Sequence, residues 1–375
     1  MKKILIILPR QLGDIIVSTP LASVLKSAYP EADIDWWAHP MGRSVLEGNP
    51  YLNRIFYYPL WDKKKQQANS SHIFRYFLNW LFYVWQTFLF PFIIRAQKYD
   101  LVIDSINYPR SSLQTLLTGA KKRISFQTGS IRDKVYTDLV PRSDLDKGYL
   151  GHTRLKILEP LGIRIPQEEL VNIKTCLPVS EADKKVPQAW LAEHVKGIPF
   201  VVMSPTHRHP NRRWPLEKYV DLAKKLITKY NFCIVWLKAP GEEFYIEDIH
   251  TRLCSALEGL KLPLATSCYS VTPPSSFSLK QSAYVSSQAV CWVGNSNGMS
   301  HASVAAGAKT IEIHGPSHPL TWAHPDRTLH RFMWRTEGCV GCSQNTCQLP
   351  RRECLEDLDV ERVFKELEDL CNLCK

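Results

Sequence analysis

Residues 3–14 read KILIILPRQLGD, and this stretch sets the fold. Lys3 to Leu8 is an almost unbroken apolar run, the pattern of a parallel strand buried on both faces. The short loop Pro9 to Asp14 follows, and then Ile15 to Tyr29 has helical spacing, with Ile16, Leu21, Leu25 and Ala28 on one side. Further strands are expected at Asp33 to Ala38, Ile55 to Tyr58 and Leu101 to Asp104. Strands alternating with helices indicate an α/β domain with a parallel sheet. The second half repeats the pattern. Strands are expected at Phe200 to Ser204, Cys233 to Leu237, Ala289 to Val293 and Thr310 to His314, with a helix from Leu216 to Tyr230. The stretch Cys176 to Ile198, with scattered proline and charge, reads as the linker, so the boundary is placed near residue 180.

Length agrees with two domains, since 375 residues exceed one ordinary core. Apolar residues make up 45% of the chain and charged residues 22%, a globular rather than a disordered composition. The net charge of +11 favours an anionic partner: a nucleic acid, a phospholipid surface or a phosphorylated substrate. The basic start has too short an apolar run for a secretory signal, so a cytoplasmic location is expected. None of the 11 cysteines precedes Cys176 and six follow residue 338, unlike a disulfide framework spread over a secreted domain.

One segment breaks the α/β rhythm. Arg75 to Arg95 holds Trp80, Phe82, Trp85, Phe88 and Phe92 among other apolar residues, with no charge between its two arginines. A membrane span needs about 20 apolar residues, and Asn79, Gln86, Thr87 and Pro91 count against one. An aromatic core helix and a helix lying in a membrane surface are the other two readings.

Four groups of residues could carry chemistry. Gly13-Asp14 with Thr19-Pro20 stands at the mouth of the first strand-to-helix turn, where doubly wound folds place their sites; spacing alone also fits Asp14 as a helix N-cap. Asn295 to His301 follows a strand with small residues, and a helix starting near Met299 would aim free N–H groups at an anion; a plain turn with a buried His301 is the alternative. Arg212-Arg213-Trp214-Pro215, preceded by Thr206, His207, Arg208 and His209, could grip phosphates or be a solvated basic loop. Glu242, after the next strand, could accept from ribose hydroxyls or lie exposed. Cys339-x2-Cys342-x4-Cys347-x6-Cys354 fits a structural zinc or iron–sulfur site in its first half only; disulfide pairs and reduced packing thiols remain open.

Together these strings resemble glycosyltransferase family 9, the ADP-heptose:lipopolysaccharide heptosyltransferases. The resemblance spans nearly the whole chain. It runs through KILIILPRQLGDIIVSTPLASVLKSAYPEADIDWW, YDLVIDSINYPRSS with GAKKRISF, RRWPLEKYVDLAKKL, VGNSNGMSHASVAAGAKTIEIHGPS and CVGCSQNTCQLPRRECLEDLDVERV, in the family's order. It implies a GT-B fold, with two Rossmann-like domains facing across a cleft. Residues 1–180 would bind the acceptor, 181–350 would hold the nucleotide sugar, and a helix in 351–375 would pack back on the first domain.

The resemblance assigns Asp14 as catalytic base, and its neighbours Arg10, Gly13 and Thr19 are read as the acceptor side. It places Arg212, Ser296, Asn297, Gly298 and His301 at the donor, and the residue reading adds Thr206, Arg213, Glu242 and Met299 there. Ser296 stands where the family commonly has an aspartate. The implied activity is inverting, metal-independent transfer of a heptose or related sugar from an ADP-sugar to a lipopolysaccharide inner-core acceptor. It would take place at the cytoplasmic face of the inner membrane, with contact through Arg75 to Arg95. No cofactor is implied for catalysis; zinc at Cys339, Cys342, Cys347 and Cys354 would be structural. A different nucleotide sugar with a capsule, glycoside or other non-lipid acceptor is the alternative. A nucleic-acid partner is not expected, because the basic residues are dispersed and no nucleic-acid-binding motif is present.

Overall fold

The computed structural model describes residues 1–57, 92–143, 148–265, 269–339, 341–344 and 346–373. The chain divides into two compact units, Met1–Ile173 and Lys174–Lys375.

The first unit contains β1 (Lys3–Leu8), β2 (Asp33–Ala38), β3 (Arg54–Tyr57), β4 (Leu101–Asp104), β5 (Lys122–Phe126) and β6 (Asp138–Val140). They form one parallel sheet in the order β3-β2-β1-β4-β5-β6. The second unit contains β7 (Phe200–Ser204), β8 (Cys233–Trp236), β9 (Ser270–Val271), β10 (Cys291–Asn295), β11 (Thr310–Ile313) and β12 (His330–Met333). Its parallel sheet runs β12-β11-β10-β7-β8-β9. Counted within each unit, both orders are 3-2-1-4-5-6. This is the doubly wound Rossmann order, in which the first strand lies between the second and the fourth. The direction of winding reverses between the first and fourth strands, and a crevice opens beyond their carboxyl ends.

Burial explains the strand sequences. Ile4 to Leu8 of β1 are fully buried, so the strand is apolar on both faces rather than alternating. The helix expected as one piece from Ile15 to Tyr29 is two: α1 (Leu12–Ser18) and α2 (Pro20–Ala28). Pro20 has no N–H to continue the ladder, and the Thr19 hydroxyl donates to the Ile16 carbonyl at 2.7 Å. A third helix of the first unit, α3 (Pro109–Leu117), follows β4.

The presumed linker contains α4 (Glu181–His194). Ser180 and Asp183 close a reciprocal capping box, and Trp190 is buried against Val195, Phe200 and Val202, so the segment has both a start signal and a core face. The division falls between Ile173 and Lys174, ahead of that helix. The last helix is α9 (Val360–Cys371). Its apolar stripe of Val363, Phe364, Leu367 and Leu370 is buried in the second unit's core with Leu226, Ile227 and Leu355. Lys225–Glu361 and Lys229–Glu368 ion pairs tie it to α5 (Leu216–Tyr230). The other helices used below are α6 (Glu243–Leu257), α7 (Leu279–Gln288) and α8 (Gly298–Ala305).

Of the aromatic segment Arg75 to Arg95, residues 75–91 lie outside the described residues. Ile94 is buried in a cluster with Leu5, Trp37 and Val102, while Phe92 and Ile93 are exposed. No described helix is long and apolar enough to cross a membrane.

Candidate active site

Asp14 lies at the switch point of the first unit, in the loop and helix that follow β1. It is the third residue of α1, whose N-cap is Gln11, so Asp14 is not the cap. Its carboxylate serves a different purpose. Arg154 donates from Nη2 to Asp14 Oδ1 at 3.2 Å and from Nη1 to the Asp14 carbonyl at 3.1 Å, and it also bonds the Ser18 hydroxyl. Both side chains of the Asp14–Arg154 pair are more than nine-tenths buried. Burial loosens the Arg154 proton, and the charge of Asp14 opposes that. On the other oxygen, Arg10 Nε lies 3.5 Å from Oδ2. Arg10 reaches on to Tyr108 at the start of α3, donating from Nη1 to its hydroxyl at 2.8 Å. One carboxylate oxygen is thus fixed by a buried guanidinium, and the other faces a partly exposed one.

Arg154 is a partner that the sequence did not reveal. It enters from a 3₁₀ helix, Arg154–Leu161, far along the chain. The approach depends on Gly151: a β-carbon there would meet the Tyr149 ring at 2.6 Å and the Val17 carbonyl oxygen at 2.9 Å. Thr19, expected near the acceptor, is fully buried with its hydroxyl on the α1 backbone, so it shapes the break between α1 and α2. On the adjoining strand, Asp104 ends β4 fully buried. It accepts from the Tyr136 hydroxyl at 2.6 Å and from the amides of Ile106 and Asn107 at 3.1 Å. Burial pushes its pKa up despite those bonds. Asp104 therefore locks the β4 loop beside the Asp14 loop.

The second unit builds its switch point from loops after β7 and β10. Asn295, at the end of β10, is fully buried and staples the two together: Oδ1 accepts from the Trp214 amide at 2.9 Å, and Nδ2 donates to the Pro205 carbonyl at 2.7 Å. Gly294 permits the approach, since a β-carbon there would come within 2.7 Å of the Ser204 carbonyl oxygen. Trp214 is fully buried and donates from its indole to the Leu358 carbonyl, so Arg212 and Arg213 are mounted on an anchored residue.

The two arginines differ. Arg213 is committed to the protein: Nε donates to the His207 carbonyl at 2.7 Å, the guanidinium lies over the Tyr245 ring, and Glu242 is 4.0 Å away. Arg212 is half-buried and makes a long bond, 3.4 Å, to the Ser343 carbonyl. Glu242 accepts from the Ala239 amide at 2.9 Å, which fixes the carboxylate at the start of α6. His207 is held down to about pKa 4, first by burial and then by the charges of Arg212 and His209, and its Nδ1 accepts from the His209 amide.

At α8 the expectation of free helix amides needs correction. Asn297 is the N-cap, and its Oδ1 accepts from Met299 N at 2.8 Å and Ser300 N at 3.1 Å. Those two donors are already used. The Asn297 Nδ2 donates to the Thr206 carbonyl at 3.1 Å, so Asn297 ties α8 to the loop after β7. Ser296 donates its amide to the Ile313 carbonyl. Gly298 begins the helix, and His301 is buried near Trp322.

The cysteine-rich segment braces this basic loop from outside. Asn211 donates to the Gln344 carbonyl at 3.1 Å, and Arg352 donates to the carbonyls of Pro210 at 2.8 Å and Arg213 at 3.2 Å. Cys339, Cys342, Cys347 and Cys354 are free thiols, which removes the disulfide reading for them. Among the described residues, no group of three or more histidine, cysteine, aspartate or glutamate side chains is placed to hold a metal ion. Cys354 is pushed up to about 11, by burial and then by the other three thiols.

The sequence model of glycosyltransferase family 9 (heptosyltransferase) matches residues 93–352. The chain belongs to that family. The matched stretch contains the second unit's site and Arg154 and begins after Asp14. Lipopolysaccharide heptosyltransferase 3 of Escherichia coli is 26% identical over 211 residues, a match that spans 55% of this chain and 55% of that protein's length. Lipopolysaccharide heptosyltransferase 1 of Pseudomonas aeruginosa is 22% identical over 385 residues, covering 98% of this chain and 97% of the relative. Among solved structures, the ADP-heptose lipopolysaccharide heptosyltransferase II of E. coli superposes with a TM-score of 0.72 at 21% identity, over 100% of this chain and 99% of that one. This likeness establishes the family's GT-B class of fold, whose two Rossmann-like units are described above.

Proposed function

We propose that this family 9 member transfers a heptose or closely related sugar from an ADP-sugar to a lipopolysaccharide inner-core acceptor, with inversion and without a catalytic metal ion. The observation that carries the reading is the Asp14 carboxylate, oriented by Arg154 at 3.2 Å and flanked by Arg10 at the end of β1. In the proposed step Asp14 takes the proton from an acceptor hydroxyl as its oxygen bonds to the anomeric carbon. The bond from that carbon to the diphosphate oxygen breaks, and ADP leaves with the electron pair. One positioned carboxylate suffices, because a diphosphate departs without needing an acid. Arg212 and Arg213 would meet the charge on the diphosphate, and Glu242 would accept from the ribose. The first unit would thus serve the acceptor and the second the donor. The full-length relative from P. aeruginosa and the ADP-heptose enzyme of like fold support this choice of substrates.

The test is Asp14→Asn. Loss of a general base lowers the rate by about 10²–10⁴. Undiminished transfer with an intact melting curve would overturn the assignment.

Ser296 favours a second reading, with another nucleotide sugar and a non-lipid acceptor, because a hydroxyl there cannot act as an anion. A panel of nucleotide sugars separates the two readings by which one is consumed.

A cytoplasmic protein held at an anionic membrane surface completes the proposal. The +11 net charge suits such a surface. On α3, Leu113, Leu116 and Leu117 are exposed along one stripe, and Arg95, whose Nη1 reaches the Leu117 carbonyl, brings exposed Phe92 and Ile93 nearby. Serine at all three leucines should reduce co-sedimentation with anionic vesicles at least tenfold; unchanged binding would remove this part of the reading.

A further inference from the structure

Strand β11 carries an unusual inner face. Side chains alternate along a strand, so Thr310 and Glu312 share a face, and His314 just past the strand continues it. All three are essentially inaccessible, where a central parallel strand is normally apolar. The Glu312 carboxylate accepts from the Ser300 hydroxyl at 3.2 Å, and His314 Nε2 lies 3.4 Å from Glu312 Oε2 without the alignment of a hydrogen bond. Glu312 Oε1 and both ring nitrogens of His314 have no hydrogen-bond partner among the described residues. A buried carboxylate is costly to keep, and an apolar residue would pack such a strand at less cost. Unsatisfied buried groups of this kind concentrate where a protein needs charge.

The carboxylate is connected to the donor site at two points. Ser300 bonds both Glu312 and Asn297, the N-cap that holds the Thr206 carbonyl. His301, next on the same turn of α8, interacts with Glu312 through charge. The other charged neighbours are His314 on the same strand, His330 on β12, and Arg327 just before β12. Burial opposes ionisation of Glu312, yet the contacts of His314, His301 and Ser300 hold its pKa below the usual carboxylate value. Burial keeps the pKa of His330 down.

We propose that Glu312 is a positioning residue of the donor site: a buried carboxylate that fixes the first turn of α8, and with it the Asn297 cap, through the Ser300 hydroxyl. This rests on the reading of α8 as part of the donor site. Glu312 touches neither substrate; it acts through Ser300 and Asn297.

The experiment compares wild type, Glu312→Leu and Glu312→Asp by donor KM, acceptor KM and calorimetric binding of ADP. Without the carboxylate the Ser300 hydroxyl loses its charged acceptor, so donor KM should rise about tenfold in Glu312→Leu, the scale of a lost hydrogen bond to a charged group, with acceptor KM unchanged, and Glu312→Asp should restore part of it. A folded Glu312→Leu with a wild-type donor KM, or with donor and acceptor KM raised alike, overturns the proposal. Should Glu312→Leu fail to fold, Ser300→Ala cuts the same connection and should raise donor KM in the same direction; a wild-type value overturns the proposal. ADP binding, expected to weaken by the same factor, reads the connection even if the wild type turns over no nucleotide sugar, so failure of the transfer reading is seen separately.

Discussion

The two units share one strand order and use their switch points for opposite charges. In the first, an anion is held by cations: Asp14 between Arg154 and Arg10. In the second, cations are held chiefly by neutral acceptors, Arg213 by the His207 carbonyl and Arg212 by the Ser343 carbonyl, with the Glu242 carboxylate 4.0 Å from Arg213. The means of support differ as well. Asp14 relies on a buried ion pair, whereas the basic loop is stapled by amide side chains, Asn295 and Asn297, and braced by Arg352. Doubly wound topology therefore fixes where a site opens but not its chemistry. That comes from a few residues at the strand ends: in the reading proposed above, a proton acceptor in one unit and a phosphate grip in the other.

The comparison can be broken at several points. The largest effect is expected from Arg154→Ala, which strands the buried Asp14 charge. It should cost about 3–5 kcal/mol in denaturant unfolding. A loss below about 1 kcal/mol would mean that Asp14 is not held as described. Next is Asn295→Ala, which orphans the Trp214 amide and the Pro205 carbonyl; about 1–3 kcal/mol should be lost for each group left unsatisfied, with donor binding weakened as the loop loosens. Arg212→Ala should raise donor KM about 10–100-fold, the scale of a lost charged hydrogen bond. Arg213→Ala should show more loss of melting temperature than of donor affinity, because that side chain is already engaged.

The pH dependence is milder and involves both units. His152 in the first and His207 in the second are each depressed to about 4, chiefly by burial. Their unfolded forms take up a proton below about 6.5, while the folded forms resist until about 4. Stability contributed by the neutral rings is present above that upper value and should be lost as pH falls through this window. Melting temperatures of the single variants His152→Phe and His207→Phe should fall less steeply there than wild type. The smallest effect is expected from dialysis against EDTA, which should leave the transfer rate unchanged if no metal takes part.

Legibility of the sequence followed the same division. The loop after β1 was readable because a buried apolar strand ends abruptly at Pro9 with an acid soon after. The basic loop announced itself by composition. Arg154 was hidden, since nothing in Gly151-His152-Thr153-Arg154 says that it will meet a residue on α1. Glu312 was hidden within a strand that reads as apolar. Strands β5, β6, β9 and β12 escaped because they are short or cationic: Lys122 and Arg123 open β5, and β9 is two residues long. Their state is set by pairing with strands already in place. The helix α4 was masked by Pro187 and dense charge, although its Ser180–Asp183 capping pair was present in the sequence.

The division of labour is tested most directly by calorimetric binding of ADP to Asp14→Asn, set beside its single-turnover transfer rate. The account predicts wild-type ADP affinity with transfer lowered about 10²–10⁴-fold. ADP affinity lost in step with transfer, or transfer retained, would contradict it.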